Sequence, residues 1–187
     1  MTRIARLTAV ASLTIAASVS AQAGKSRFTL ASTEVHAGRM IATPQLFNGM
    51  ACTGGNISPS LEWQGAPQAA KSFAITVYDP DAPTGSGWWH WLVYNIPASV
   101  TKLSTGAGVA NSTMLPPGAK QGNTDFGAPG YGGPCPPKGP AHHYIFTVFA
   151  LDVPSIDVPA TATAAYIGFN LHAHTIGKAS FTAIYKQ

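Results

Sequence analysis

Charge is scarce in this chain. Only 10% of its 187 residues are Asp, Glu, Lys or Arg, and the basic ones are scattered singly, with no stripe and no basic helix. Nucleic acid is therefore not an expected partner. Cysteine is scarcer still: Cys52 and Cys135 are the only two, and neither lies in a C-x-x-C pair. Catalytic signatures are missing as well, since neither G-x-S-x-G nor H-E-x-x-H occurs. The one sustained apolar run near the N-terminus, Leu7 to Val19, is too short to span a bilayer. Arg3 and Arg6 precede it and Ala21-Gln22-Ala23 follows, so residues 1–23 read as a cleaved signal peptide and residues 24–187 as the mature domain. Without Arg3 and Arg6 the eleven basic residues become nine against seven acidic ones, and the formal charge falls from +4 to +2. The mature chain is expected to be periplasmic in a Gram-negative host, or secreted, with no transmembrane segment after cleavage.

What the chain has in quantity is glycine (19), proline (15) and hydrophobic residues (45%). That composition suits a loop-rich β protein, and the length suffices for one domain with a real core. Export makes a Cys52–Cys135 disulfide the default, with a metal-binding or catalytic thiol as the alternative. Across 83 residues such a bridge would contribute about 4–5 kcal/mol on the chain-entropy model.

Phe28-Thr29-Leu30 and Met40-Ile41-Ala42 suggest an opening hairpin or edge strands, and Leu61 and Trp63 share one face of a short strand. Phe73–Tyr78 and Trp89–Ile96 are apolar on nearly every residue, as central strands covered on both sides should be. Between them runs Asp79-Pro80-Asp81-Ala82-Pro83, and the sequence resumes at Trp88-Trp89-His90-Trp91. The prolines stiffen the loop, so its backbone aims the two carboxylates; a stiff hairpin with turn-capping Asp residues is the plainer reading. In the strand His142–Leu151, alternation puts His142 and Tyr144 on one face and His143 on the other, so the adjacent histidines cannot easily share a metal. Ala160–Ala173 reads as the one good helix, with His172 and His174 as helix-end residues.

Asp79-Pro80-Asp81-Ala82-Pro83, His90 after Trp89, and His142-x-Tyr144 together resemble the phosphatidylethanolamine-binding protein family, which includes the Raf kinase inhibitor protein. Asn56-Ile57-Ser58-Pro59-x-Leu61-x-Trp63, Gly85-Ser86-Gly87-Trp88-Trp89-His90-Trp91 and Tyr131-Gly132-Gly133-Pro134-Cys135-Pro136-Pro137-Lys138-Gly139 are similar to its bacterial YbhB/YbcL branch. The resemblance runs from about Cys52 to the C-terminus. It implies a mainly β fold of two antiparallel β-sheets with a few peripheral helices, one of them near the C-terminus. It also implies a small anion pocket lined by Asp79, Asp81, His90, His142 and Tyr144, with Pro136, Pro137 and the Gly130-Tyr131 loop at its rim. Where family members usually carry His-Arg-Tyr, this chain has His142-His143-Tyr144, which puts any ion pair of that Arg in doubt.

From the residues themselves, an anion would be held by imidazole N–H groups, the Tyr hydroxyl and loop amides. Unpaired carboxylates would repel it, so Asp79 or Asp81 is expected to orient a histidine, with tighter binding below about pH 6.5. The expected function is therefore binding of a small anionic or phosphorylated ligand, with inhibition or regulation of a protein target as a further role and no cofactor or metal. The alternative is a hydrolase acting on a phosphorylated small molecule through the Asp/His cluster. Homodimerisation is left open.

Overall fold

The computed structural model describes residues 27–187; the signal peptide and cleavage site expected from the sequence lie outside them. The strands are β1 (Thr29–Ala31), β2 (Asn48–Gly49), β3 (Cys52–Thr53), β4 (Leu61–Gln64), β5 (Ser72–Asp79), β6 (Trp88–Pro97), β7 (Lys102–Leu103), β8 (Lys120–Gln121), β9 (His142–Leu151) and β10 (Thr175–Tyr185). One α-helix, α1, covers Ala164–His174. The strands form a five-stranded sheet in the order β10-β9-β5-β6-β8, a three-stranded sheet β1-β4-β7 and the ribbon β2-β3. All pairings between these strands are antiparallel.

The unbroken hydrophobicity of the central strands follows from two cores, one on each face. Phe73, Ile75 and Val77 of β5, with Trp91 and Val93 of β6 and Phe146 and Val148 of β9, pack toward Leu61 and Trp63 of the small sheet. Ala74, Leu92, Tyr94 and Leu151 face the other way, onto Ile167 and Leu171 of α1. Of the two expectations for the opening segments the hairpin does not form, and β1 is an edge strand of the small sheet. β1 pairs with β4, and Met40 makes an isolated parallel bridge to Ile184 of β10, because each segment finds a longer strand to complete. The helix starts later than composition suggests. Thr163 is its N-cap, accepting a hydrogen bond from the Tyr166 N–H at 3.2 Å, and Ala162 is tied back to the Pro159 carbonyl in a turn. At its far end His174 pairs with Asp152 at 3.0 Å. Among the described residues, no helix is long and apolar enough to cross a membrane.

Cys52 and Cys135 are joined in a disulfide, Cα to Cα 6.0 Å. It pins the Gly/Pro-rich loop to the β2-β3 ribbon, whose turn residues Met50 and Ala51 both have positive φ (52° and 70°). The loop is held from beneath by Asn56: its side-chain oxygen accepts from the Gly133 N–H at 2.8 Å, and its amide donates to the Tyr131 carbonyl at 3.1 Å.

Candidate functional site

The loop after β5, the start of β6, the Gly/Pro-rich loop and the start of β9 meet at one end of the large sheet. They enclose a cavity of about 240 Å³. Asp79 is the last residue of β5 and shares the inner face with Ile75 and Val77, as alternation requires. His142 opens β9 and Tyr144 follows two residues on, so both side chains fall on the same face as Asp79. His143 points outward and is exposed.

His90 arrives differently. Val77 pairs with Trp91 and Tyr78 with Trp89, so the register slips by one and His90 is the extra residue of a bulge. Plain alternation would have placed it opposite Trp91; the bulge brings it to the cavity instead. Gly87, just before β6, permits the approach: its φ is +69°, and a Cβ there would lie 2.3 Å from the Tyr78 hydroxyl.

The inner groups form a defined hydrogen-bond set. His142 Nδ1 donates to Asp79 Oδ2 at 2.8 Å, and the other Asp79 oxygen accepts the Asp81 N–H at 2.8 Å. His90 Nδ1 donates to the Gly132 carbonyl at 2.7 Å. Burial pushes His90 down to about 4, against the partial opposition of that carbonyl and of the Asp79 and Asp125 charges. Tyr144 is pushed the other way, well above the ordinary phenol range, first by burial and then by the Asp79 charge. Its hydroxyl is buried and, although close to Asp79, makes no hydrogen bond of ordinary geometry. A neutral donor without an acceptor thus stands in the cavity wall.

The wall is otherwise apolar. Trp88, Phe126, Ala82 and Pro83 line it together with Pro136, Pro137 and Cys135, and exposed Met50 stands at its lip. Of the residues expected from sequence, Asp79, His90, His142, Tyr144, Pro136 and Pro137 converge here. Three do not. Asp81 turns to the outer face, where its carboxylate accepts from His143 Nδ1 and the His143 N–H, each at 2.7 Å. Partial burial raises its affinity for protons, but the His143 hydrogen bonds outweigh this and hold it below the usual carboxylate range. Gly130 and Tyr131 line a separate hollow on the far side of Phe126. Tyr131 is a core residue whose hydroxyl donates to the Gln45 carbonyl at 2.9 Å and whose ring packs edge-on to Trp91.

Phe126, Met50 and Thr84 join the lining without having been singled out in the sequence. Phe126 sits in the Gly/Pro-rich loop, and its contacts to Trp88 and His90, both at 5.4 Å between ring centres, depend on how that loop folds back. The Asp79–His142 pair has the expected form of a carboxylate orienting an imidazole. Among the described residues, no group of three His, Cys, Asp or Glu side chains is placed to hold a metal.

Comparison with known proteins gives the arrangement its family. The phosphatidylethanolamine-binding protein family model matches residues 31–186. The chain belongs to the phosphatidylethanolamine-binding protein family. Its curated relatives include two Escherichia coli proteins, YbcL (49% identical over 174 residues, covering 92% of this chain and 95% of YbcL) and YbhB (49% over 156 residues, covering 83% and 98%). The crystal structure of E. coli YbcL superposes with a TM-score of 0.85 at 51% identity, covering 87% of this chain and 99% of that one. A family homologue from Chlamydia trachomatis superposes at 0.71 with 32% identity, covering 86% and 97%. Membership in the family accounts for the mainly β fold with its helix near the C-terminus.

Proposed function

We propose that this protein is an exported member of the phosphatidylethanolamine-binding protein family that holds a small anionic or phosphate-bearing ligand in the cavity between Asp79, His90, His142 and Tyr144. The observation that carries the reading is the Tyr144 hydroxyl, a buried donor that lies close to Asp79 but makes no hydrogen bond of ordinary geometry among the described residues. An anionic oxygen supplies an acceptor for it. His142 adds a second donor when it is protonated: its Nδ1–H is committed to Asp79, so the further N–H is on Nε2. His90 does not supply the expected turning point near pH 6.5, because burial keeps it neutral at that pH. The signal peptide read in residues 1–23 carries the chain to the periplasm, or outside the cell in a host without one.

Regulation of a protein partner would use the same mouth, where Met50 is 66% exposed beside exposed Pro137. Hydrolysis finds less support. Of the lining thiol and aliphatic hydroxyl groups, Cys135 is in the disulfide and the Thr84 hydroxyl donates to the Gly87 carbonyl. Calorimetric titration of residues 24–187 with phosphate and phosphoethanolamine tests the reading. Saturable binding that His142→Ala abolishes is expected; absence of heat from either ligand would overturn it.

A further inference from the structure

The His90 ring is fixed more tightly than a packing role requires. Its Nδ1 lies 2.7 Å from the Gly132 carbonyl, and the Gly132 N–H returns to the His90 carbonyl at 2.9 Å. Tyr144 and Phe126 hold the ring edge-on at 5.1 and 5.4 Å. A carbonyl can only accept, so Nδ1 carries the hydrogen, and the neutral ring leaves Nε2 as a lone-pair acceptor. Beside the Gly132 and Gly133 backbone that holds the ring, no hydrogen bond to Nε2 is formed among the described residues, and His90 lines the cavity. Burial keeps the ring neutral down to about pH 4, although the Asp79 and Asp125 charges act in the opposite direction.

The cavity therefore combines donors with an acceptor, His90 Nε2, that has no partner of its own among the described residues, beside the Asp79 carboxylate already engaged by His142 and the Asp81 N–H. Tyr144 offers an O–H and His142, when protonated, an N–H; His90 asks for a hydrogen from the ligand. The charges facing His142 are those of Asp79 and, farther off, Asp81, so the site already holds negative charge and disfavours a dianion. The His90 and Tyr144 rings lie 5.1 Å apart, so a phosphoryl group that accepts from Tyr144 sits beside His90, and the hydrogen that His90 accepts is one on that group itself.

Resting on the anion-pocket reading above, we propose that the cavity selects a singly protonated phosphoryl group, a phosphomonoester monoanion or dihydrogen phosphate, over phosphodiesters and sulfate. A diester of the same charge has no P–OH and leaves His90 Nε2 without its hydrogen bond; sulfate lacks the hydrogen and adds a charge.

Ethyl phosphate and dimethyl phosphate are isomers that test this directly. At about pH 5.5, below the second ionisation of a monoester near 6, both are largely monoanions, and only ethyl phosphate keeps a P–OH. Calorimetric titration of the wild-type mature chain, with inorganic phosphate and sulfate alongside, reads the difference. Ethyl phosphate and phosphate are expected to bind at least about tenfold more tightly than dimethyl phosphate and sulfate, the cost of a buried acceptor left unpaired. Equal affinity for the two isomers overturns the selectivity and leaves the anion pocket standing; no binding by any of the four overturns both. Histidine nitrogen NMR gives a second readout. His90 Nε2 is expected to stay unprotonated with ethyl phosphate bound, and its protonation in the complex would overturn the proposal.

Discussion

His142 and Asp79 join the ends of two neighbouring strands through one hydrogen bond, Nδ1 to Oδ2 at 2.8 Å, at the floor of the cavity. Both are buried, and the second Asp79 oxygen is taken by the Asp81 N–H. The pair thus serves the loop and the pocket together. Asp79→Ala strands a buried imidazole N–H and a backbone N–H, and is expected to cost about 2–4 kcal/mol in urea unfolding. A loss below the error of the measurement would show that the pair does not hold this end of the sheet.

Tyr144→Phe removes a buried hydroxyl that makes no hydrogen bond of ordinary geometry among the described residues. Its stability is expected to be unchanged or higher by up to about 1 kcal/mol, since no intramolecular hydrogen bond is lost. Thermal unfolding checks this, and a clear drop in midpoint would mean that the hydroxyl has a partner within the fold.

Acid sensitivity has a definite sign. His90 is neutral in the fold down to about 4, whereas the unfolded chain takes up its proton near the ordinary value of 6.5. The unfolded state binds more protons between those values, so stability is full above about 6.5 and falls as pH drops toward 4, by up to about 3 kcal/mol. Glu34 adds a second, lower window. Partial burial would raise it, but hydrogen bonds from the Ser60, Thr105 and Thr33 hydroxyls and the Ser60 N–H bring it to about 2, so its contribution is present above 4.5 and lost as pH falls toward 2. NMR titration of the His90 ring is expected to show no protonation between pH 7 and about 5; an ordinary midpoint near 6.5 would contradict the assignment.

The loop above the cavity is held by a close approach of two backbones. A Cβ on Gly133 would lie 2.2 Å from the Gln45 carbonyl oxygen and 2.5 Å from the Phe47 nitrogen. Gly133→Ala therefore forces the backbones apart, and is expected to destabilise by about 1–3 kcal/mol or more. Urea unfolding of the purified variant measures it, and wild-type stability would show that the approach is not that close.

Much of this was legible in the sequence. Alternation in His142-His143-Tyr144 separated the outward His143 from its inward neighbours, and the unbroken apolar runs identified strands covered on both faces. The expected export, with neither cysteine in a C-x-x-C, pointed to the Cys52–Cys135 bridge. The register slip that carries His90 inward was not legible, because a bulge depends on how two strands pair and not on the pattern of either. Nor could the side of Phe126 on which Tyr131 lies be read, since that depends on Asn56 reaching 75 and 77 residues along the chain. Asp81 sits in the same Asp-Pro loop as Asp79, yet one step past the strand end turns it outward to His143.

Calorimetric titration of the mature chain with phosphate, wild type against Tyr144→Phe, addresses the central claim most directly. Saturable binding by wild type and a loss of at least about tenfold in the variant, with its fold intact, is the expected result. Equal affinity in the two proteins would contradict the account, because the one buried donor that calls for an anion would then have no part in holding it.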